Sequence, residues 1–219
     1  MKKGFTLAEI LITLGIVGVV AALTLPGVVM SYQKKVYVAQ LQRIYNQFVN
    51  GTKGIMSENG LDSLKEADSS LKKASTFLNK IVTVSRTGDV SSVMASSYKS
   101  LNSDKEISLS GKKEKVEKKV AAKKEAKATK SSLSCVVVDT GASICMTDIN
   151  SDGYATVYVD LNGPSKPNVI GRDFYSFQLT PAGKVNSGYN KDWCKNAKDL
   201  NQASYCLGTV RGDNWTMDY

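Results

Sequence analysis

The segment from Phe5 to Leu25 constrains this chain more than any other. Apart from Thr6, Glu9, Thr13, Thr24 and its glycines it is apolar throughout. As a helix, 21 residues span about 31 Å, enough to cross a hydrocarbon layer of about 30 Å. Lys2 and Lys3 stand before it, so a secretory signal peptide with a cleavage site at Val20-Ala21-Ala22 is one reading. Glu9 opposes that reading. A carboxylate in an apolar span costs on the order of 2–3 kcal/mol, so one found there has a partner to meet.

The run Lys2-Lys3-Gly4-Phe5-Thr6-Leu7-Ala8-Glu9, followed by an unbroken apolar stretch, resembles the prepilin signal of type IV pilins and type II secretion pseudopilins. The resemblance implies that a prepilin peptidase cuts between Gly4 and Phe5 and methylates the new amino group of Phe5. Glu9 then becomes the fifth residue of the mature chain, where the family keeps a glutamate. Gly18 and Pro26 fall where these proteins carry a helix-loosening glycine and a proline. In a filament, Glu9 is expected to pair with the Phe5 amino group of a neighbouring subunit. Breaking such a buried pair costs about 3–5 kcal/mol. The apolar helix would change from membrane anchor to the shared core of an open helical polymer, built by a repeating heterologous contact.

The remaining composition narrows the functional classes. The chain has no histidine, which removes Ser-His-Asp, Cys-His and His-metal chemistry together. Its net charge of +9 suggests a nucleic-acid binder until the charges are located. Residues 112–130 hold nine lysines and three glutamates, and Lys2 and Lys3 add two more positive charges, which leaves +1 for everything else. The Lys-rich stretch carries no interleaved aromatic residue, which argues against single-strand binding. It reads as a solvated helix or insert, and nucleic acid is not an expected partner.

Beyond Gly27 the apolar positions narrow to a stripe of Val38, Leu41, Tyr45, Phe48 or Val49, and Ile55, the spacing of an amphipathic helix to about Met56. Leu64, Leu71, Phe77, Leu78 and Ile81 predict a second, shorter helix, and a serine-rich loop is expected around Ser91–Ser110. After Ser131 the pattern changes to strands. A hairpin of 135–138 and 143–146, a strand over 154–161, another over 173–179, and a pairing segment at Lys184-Val185 are expected. The expected organisation is a leader at 1–4, a transmembrane and assembly helix at 5–26, its amphipathic continuation at 27–58, and a helical and loop region at 59–110. A Lys-rich insert at 111–131 and an antiparallel sheet domain at 132–219 complete it. The fold class is α+β, a long amino-terminal helix packed on an antiparallel sheet, which is also the pilin architecture.

Four cysteines, Cys135, Cys145, Cys194 and Cys206, are an even number in a segment expected to be exported, so disulfides are expected. Three pairings exist. The sequence-local one joins Cys135 to Cys145 and Cys194 to Cys206. A four-cysteine zinc site is the rival, although no close C-x-x-C pair is present. Type IV pilins often close a carboxy-terminal loop with a disulfide, and Cys194–Cys206 resembles that loop.

Asp148, Asn150 and Asp152, followed by Gly153, have the oxygen spacing of a calcium loop, but the twelfth position is Val159 rather than a glutamate. A polar β-turn explains the same residues. The connector from Asp160 to Asp173 is similar to one in pilin-like proteins. It carries a carboxylate at each end and Arg172 to pair with one of them. No cofactor is required, and calcium is the one candidate ligand. No nucleophile, base and oxyanion donor assemble in the sequence, so no enzymatic activity is expected.

These readings converge on a pilin-like structural subunit of a type IV pilus, a secretion pseudopilus or a DNA-uptake filament. Its expected partners are the prepilin peptidase, other pilin or pseudopilin subunits and the inner-membrane assembly machinery. The expected location is a single pass through the cytoplasmic membrane with an extracytoplasmic carboxy-terminal domain, then a surface or periplasmic filament. The alternative is a membrane-anchored or secreted binding module for calcium or an anionic polymer.

Overall fold

The computed structural model describes Gly4, residues 6–108 and residues 133–219. Phe5 and the Lys-rich insert lie outside the described residues. Helix α1 runs from Leu7 to Glu58. The chain divides into two compact units, Met1–Val36 and Tyr37–Tyr219.

In the second unit, α1 buries Val38, Leu41, Ile44, Phe48, Thr52 and Ile55. Steps of three and four residues keep these on one face. Tyr45 was expected on the stripe but is only partly buried, and Ile44 takes the inner position. The stripe packs on an antiparallel sheet of six strands in the order β1-β4-β5-β6-β7-β8. The strands are β1 Val84–Gly88, β4 Leu133–Val138, β5 Ser143–Thr147, β6 Ala155–Asp160, β7 Phe174–Leu179 and β8 Val185–Asn186. Phe48 of α1 meets Phe177 of β7 edge to face, 5.0 Å between centroids. Helix α2, Ala74–Ile81, closes on α1 at Gly51, where a Cβ would stand 2.9 Å from Ile81 Cγ1.

The expected hairpin is β4–β5, with Gly141 at φ 85° in its turn. The expected third and fourth strands are β6 and β7, and Val185 pairs with Leu179 as the sixth-strand contact. Residues 59–110 hold more order than helix and loop. They add β1 to the edge of the main sheet, then a short helix α3, Val90–Val93, and a separate hairpin of β2, Ser97–Ser100, and β3, Ser103–Ser108. Tyr98 is the reason a serine-rich segment folds. Its fully buried ring packs on the Phe174 ring, 4.0 Å between centroids, and its hydroxyl donates to Asp160. The carboxy terminus is likewise more helical than a loop, with α4, Lys191–Lys195, and α5, Ala203–Gly212.

Both sequence-local disulfides are present. Cys135 and Cys145 are register partners on β4 and β5, and Cys194 ties α4 to Cys206 of α5. No cysteine is free, which removes the zinc reading.

Candidate functional site

Gly4 is exposed, and a Cβ placed on it would meet nothing within 4 Å. Among the described residues no contact therefore requires glycine at this position. Two residues on, Thr6 and Glu9 close a reciprocal cap. The Thr6 N–H donates to Glu9 Oε2 at 2.9 Å and the Thr6 hydroxyl donates to the same oxygen at 3.1 Å. The Glu9 N–H donates back to Thr6 Oγ1 at 3.3 Å. This is a capping box, which satisfies donors that the first helical turn leaves open. Within the single chain Glu9 therefore already has hydrogen-bond partners. The signal was in the sequence as Thr-x-x-Glu at the head of an apolar run, and Thr6 is the residue that the sequence reading missed.

Farther along the helix, two threonines remove polar groups from the apolar surface. Thr13 donates its hydroxyl to the carbonyls of Glu9 and Ile10 at 2.9 and 3.0 Å, and Thr24 donates to Val20 at 2.9 Å. Back-bonded hydroxyls leave little unsatisfied polarity in an apolar medium. Leu11, Leu14, Val17 and Leu23 are each more than half exposed. An 18-residue window of this helix has a mean hydropathy of 2.3, with none of it buried in the chain. So large an apolar surface belongs against lipid or protein rather than water. Helix α1 continues through both Gly18 and Pro26. Pro26 has no N–H, so the Ala22 carbonyl loses its helical donor while the helix itself is not interrupted.

A family model described as the prokaryotic N-terminal methylation motif matches residues 1–25. The chain carries a prepilin signal. That signal is the one type IV pilins and pseudopilins carry, and the long helix on an antiparallel sheet is a pilin-like architecture. No curated protein and no solved structure matches the chain.

The remaining candidate residues lie in the second unit. Asp148 Oδ1 accepts the Ala74 N–H at 2.9 Å, at the start of α2. Asn150 Oδ1 accepts the N–H groups of Asp152 and Tyr154 at 3.0 and 2.9 Å, closing the turn on itself. Asp148 and Asn150 therefore each hold backbone donors, and Gly153 at φ 81° completes the turn.

The connector from Asp160 to Asp173 is fastened by two fully buried carboxylates. Asp160 accepts the Tyr98 hydroxyl at 2.6 Å, and the Ala95 N–H donates to that hydroxyl at 3.2 Å. Asp173 accepts the N–H groups of Asn168 and Val169 at 2.8 and 2.6 Å. Burial pushes the Asp160 carboxyl up to about 7, opposed by the Tyr98 hydroxyl, and the nearby Asp173 charge adds to the rise. Burial likewise pushes Asp173 up to about 6 against its backbone donors. Arg172 was expected to pair with one carboxylate. Among the described residues no ion pair joins it to either, and backbone and phenol donors hold both in its place. Gly171, at φ 88°, lets the connector approach the terminal disulfide, since a Cβ there would stand 3.0 Å from Cys206 Sγ.

Proposed function

We infer that this chain is a pilin-like structural subunit, cut after Gly4 by a prepilin peptidase, methylated on Phe5 and polymerised through α1. Its role is mechanical rather than catalytic. Before assembly α1 holds the subunit in the cytoplasmic membrane, with the disulfide-bridged domain on the extracytoplasmic side. During assembly the same apolar surface passes from lipid to neighbouring subunits, and Glu9 exchanges its Thr6 donors for the Phe5 amino group of a neighbour. The destination is a pilus or a secretion or DNA-uptake pseudopilus.

The observation that carries this reading is the methylation motif at residues 1–25 set directly on a helix whose apolar window is wholly unburied. The decisive measurement is the mass of the amino-terminal peptide of the membrane-isolated protein. A start at N-methyl-phenylalanine in position 5 is expected. A mature start at Leu23, after ordinary signal-peptide cleavage, overturns the assignment.

A further inference from the structure

The sheet face opposite the Phe177 side changes character along its length. At one end Asp160 and Phe174 are buried, with Tyr98 packed on both. In the middle, Ser176 donates to the Leu200 carbonyl at 3.0 Å and Tyr158 donates to Asn201 Oδ1 at 3.0 Å. At the other end Thr156 pairs with Gln178 and Gln178 with Asn186, so three polar side chains form one row across β6, β7 and β8. A groove of about 430 Å³ opens over this row, with Ser204 and Tyr205 of α5 on its other side. That volume falls within the range of about 300–1,000 Å³ typical of small-ligand sites.

Two features give the groove a chemical preference. First, no charged side chain lines it. Its amides and hydroxyls each donate and accept hydrogen bonds, which selects a neutral ligand with the same double capacity. Among the described residues the side chains of Gln178, Asn186 and Ser204 make no hydrogen bond within the chain. Second, aromatic surface stands beside it. Trp193 packs edge to face on Tyr205 at 4.8 Å and remains 51% exposed. Among the described residues outside α1, the exposed large hydrophobic side chains are Tyr154, Tyr189 and Trp193, every one aromatic. The negative face of an aromatic ring receives the C–H face of a sugar ring well.

We propose that this groove binds a neutral carbohydrate, one or two sugar rings of a glycan chain. Thr156, Gln178 and Asn186 meet its hydroxyls, and Tyr205 with Trp193 provides the stacking surface. The proposal does not depend on how the amino terminus is processed.

The test uses the full chain in a zwitterionic detergent without a sugar headgroup. Neutral oligosaccharides of glucose, N-acetylglucosamine, galactose and mannose are titrated to about 10 mM, followed by tryptophan fluorescence and saturation-transfer NMR. At least one is expected to bind saturably, with the affinity falling about tenfold in Trp193→Ala and in Gln178→Ala at unchanged melting temperature. If Trp193→Ala does not fold, Gln178→Ala and Asn186→Ala carry the test from exposed positions. Failure of every saccharide to saturate overturns the proposal, as does binding that survives the groove substitutions. Equal binding of a neutral glycine-serine peptide overturns it as well, because the groove would then recognise backbone amides rather than sugar.

Discussion

Asp160 shows how one buried atom group sets a property of the whole domain. Its folded carboxyl titrates at about 7, far above the roughly 3.9 of an unfolded aspartate. Below both values the two states bind the same protons. Between them the folded state keeps a proton that the unfolded state has released, so stability falls as pH rises from about 4 to 7. Asp173 adds the same slope up to about 6. Thermal melts are therefore expected to drop by several °C between pH 5 and pH 8, roughly 2–4 °C for each kcal/mol in a domain of this size. Asp160→Asn should flatten that dependence, and an unchanged slope in the variant would remove Asp160 as its source. Gly208 gives a steric example. A Cβ there would collide with the Gly188 carbonyl, which is backbone and has little room to move. Gly208→Ala is expected to cost about 1–3 kcal/mol, read as a lowered urea midpoint.

The elements were unequally legible. The β4–β5 hairpin was readable because alternating apolar residues flank a turn with glycine, and α1 was readable because its stripe keeps helical spacing. The β2–β3 hairpin was not. Its serines carry no periodic signal, and Tyr98 acquires its meaning only from Phe174 and Asp160, some 60 to 75 residues away in sequence. Helix α5 was missed because its buried face, Ala203, Cys206, Leu207 and Val210, includes the cysteine that read as the end of a loop. The disulfide joining it to α4 has a testable weight. Replacing Cys194 and Cys206 together by serine should cost about 2–4 kcal/mol in the chain-entropy account. Equal denaturation midpoints for variant and parent protein would show that packing of α4 on α5 suffices alone.

For the molecule as a subunit, Glu9→Leu separates anchoring from assembly. The substitution makes the segment more apolar, so insertion into the membrane should be preserved or improved. It also removes the capping partner of Thr6 and the proposed partner of a neighbour's Phe5 amino group. Normal membrane fractionation with a sharp loss of sheared filaments is expected, whereas normal filament yield would remove Glu9 from assembly. The sequence by itself determined the amino-terminal quarter. A prepilin signal, a helix start and a membrane-length apolar run depend on neighbours a few residues apart, and those are written consecutively. The tertiary structure alone decided other features: that Asp160 and Asp173 are buried and held by phenol and backbone donors, and that Asp148 and Asn150 hold backbone donors. It also aligned Thr156, Gln178 and Asn186 beside Tyr205. Burial and cross-strand register are relations between distant residues, and they exist only once the chain has brought those residues together.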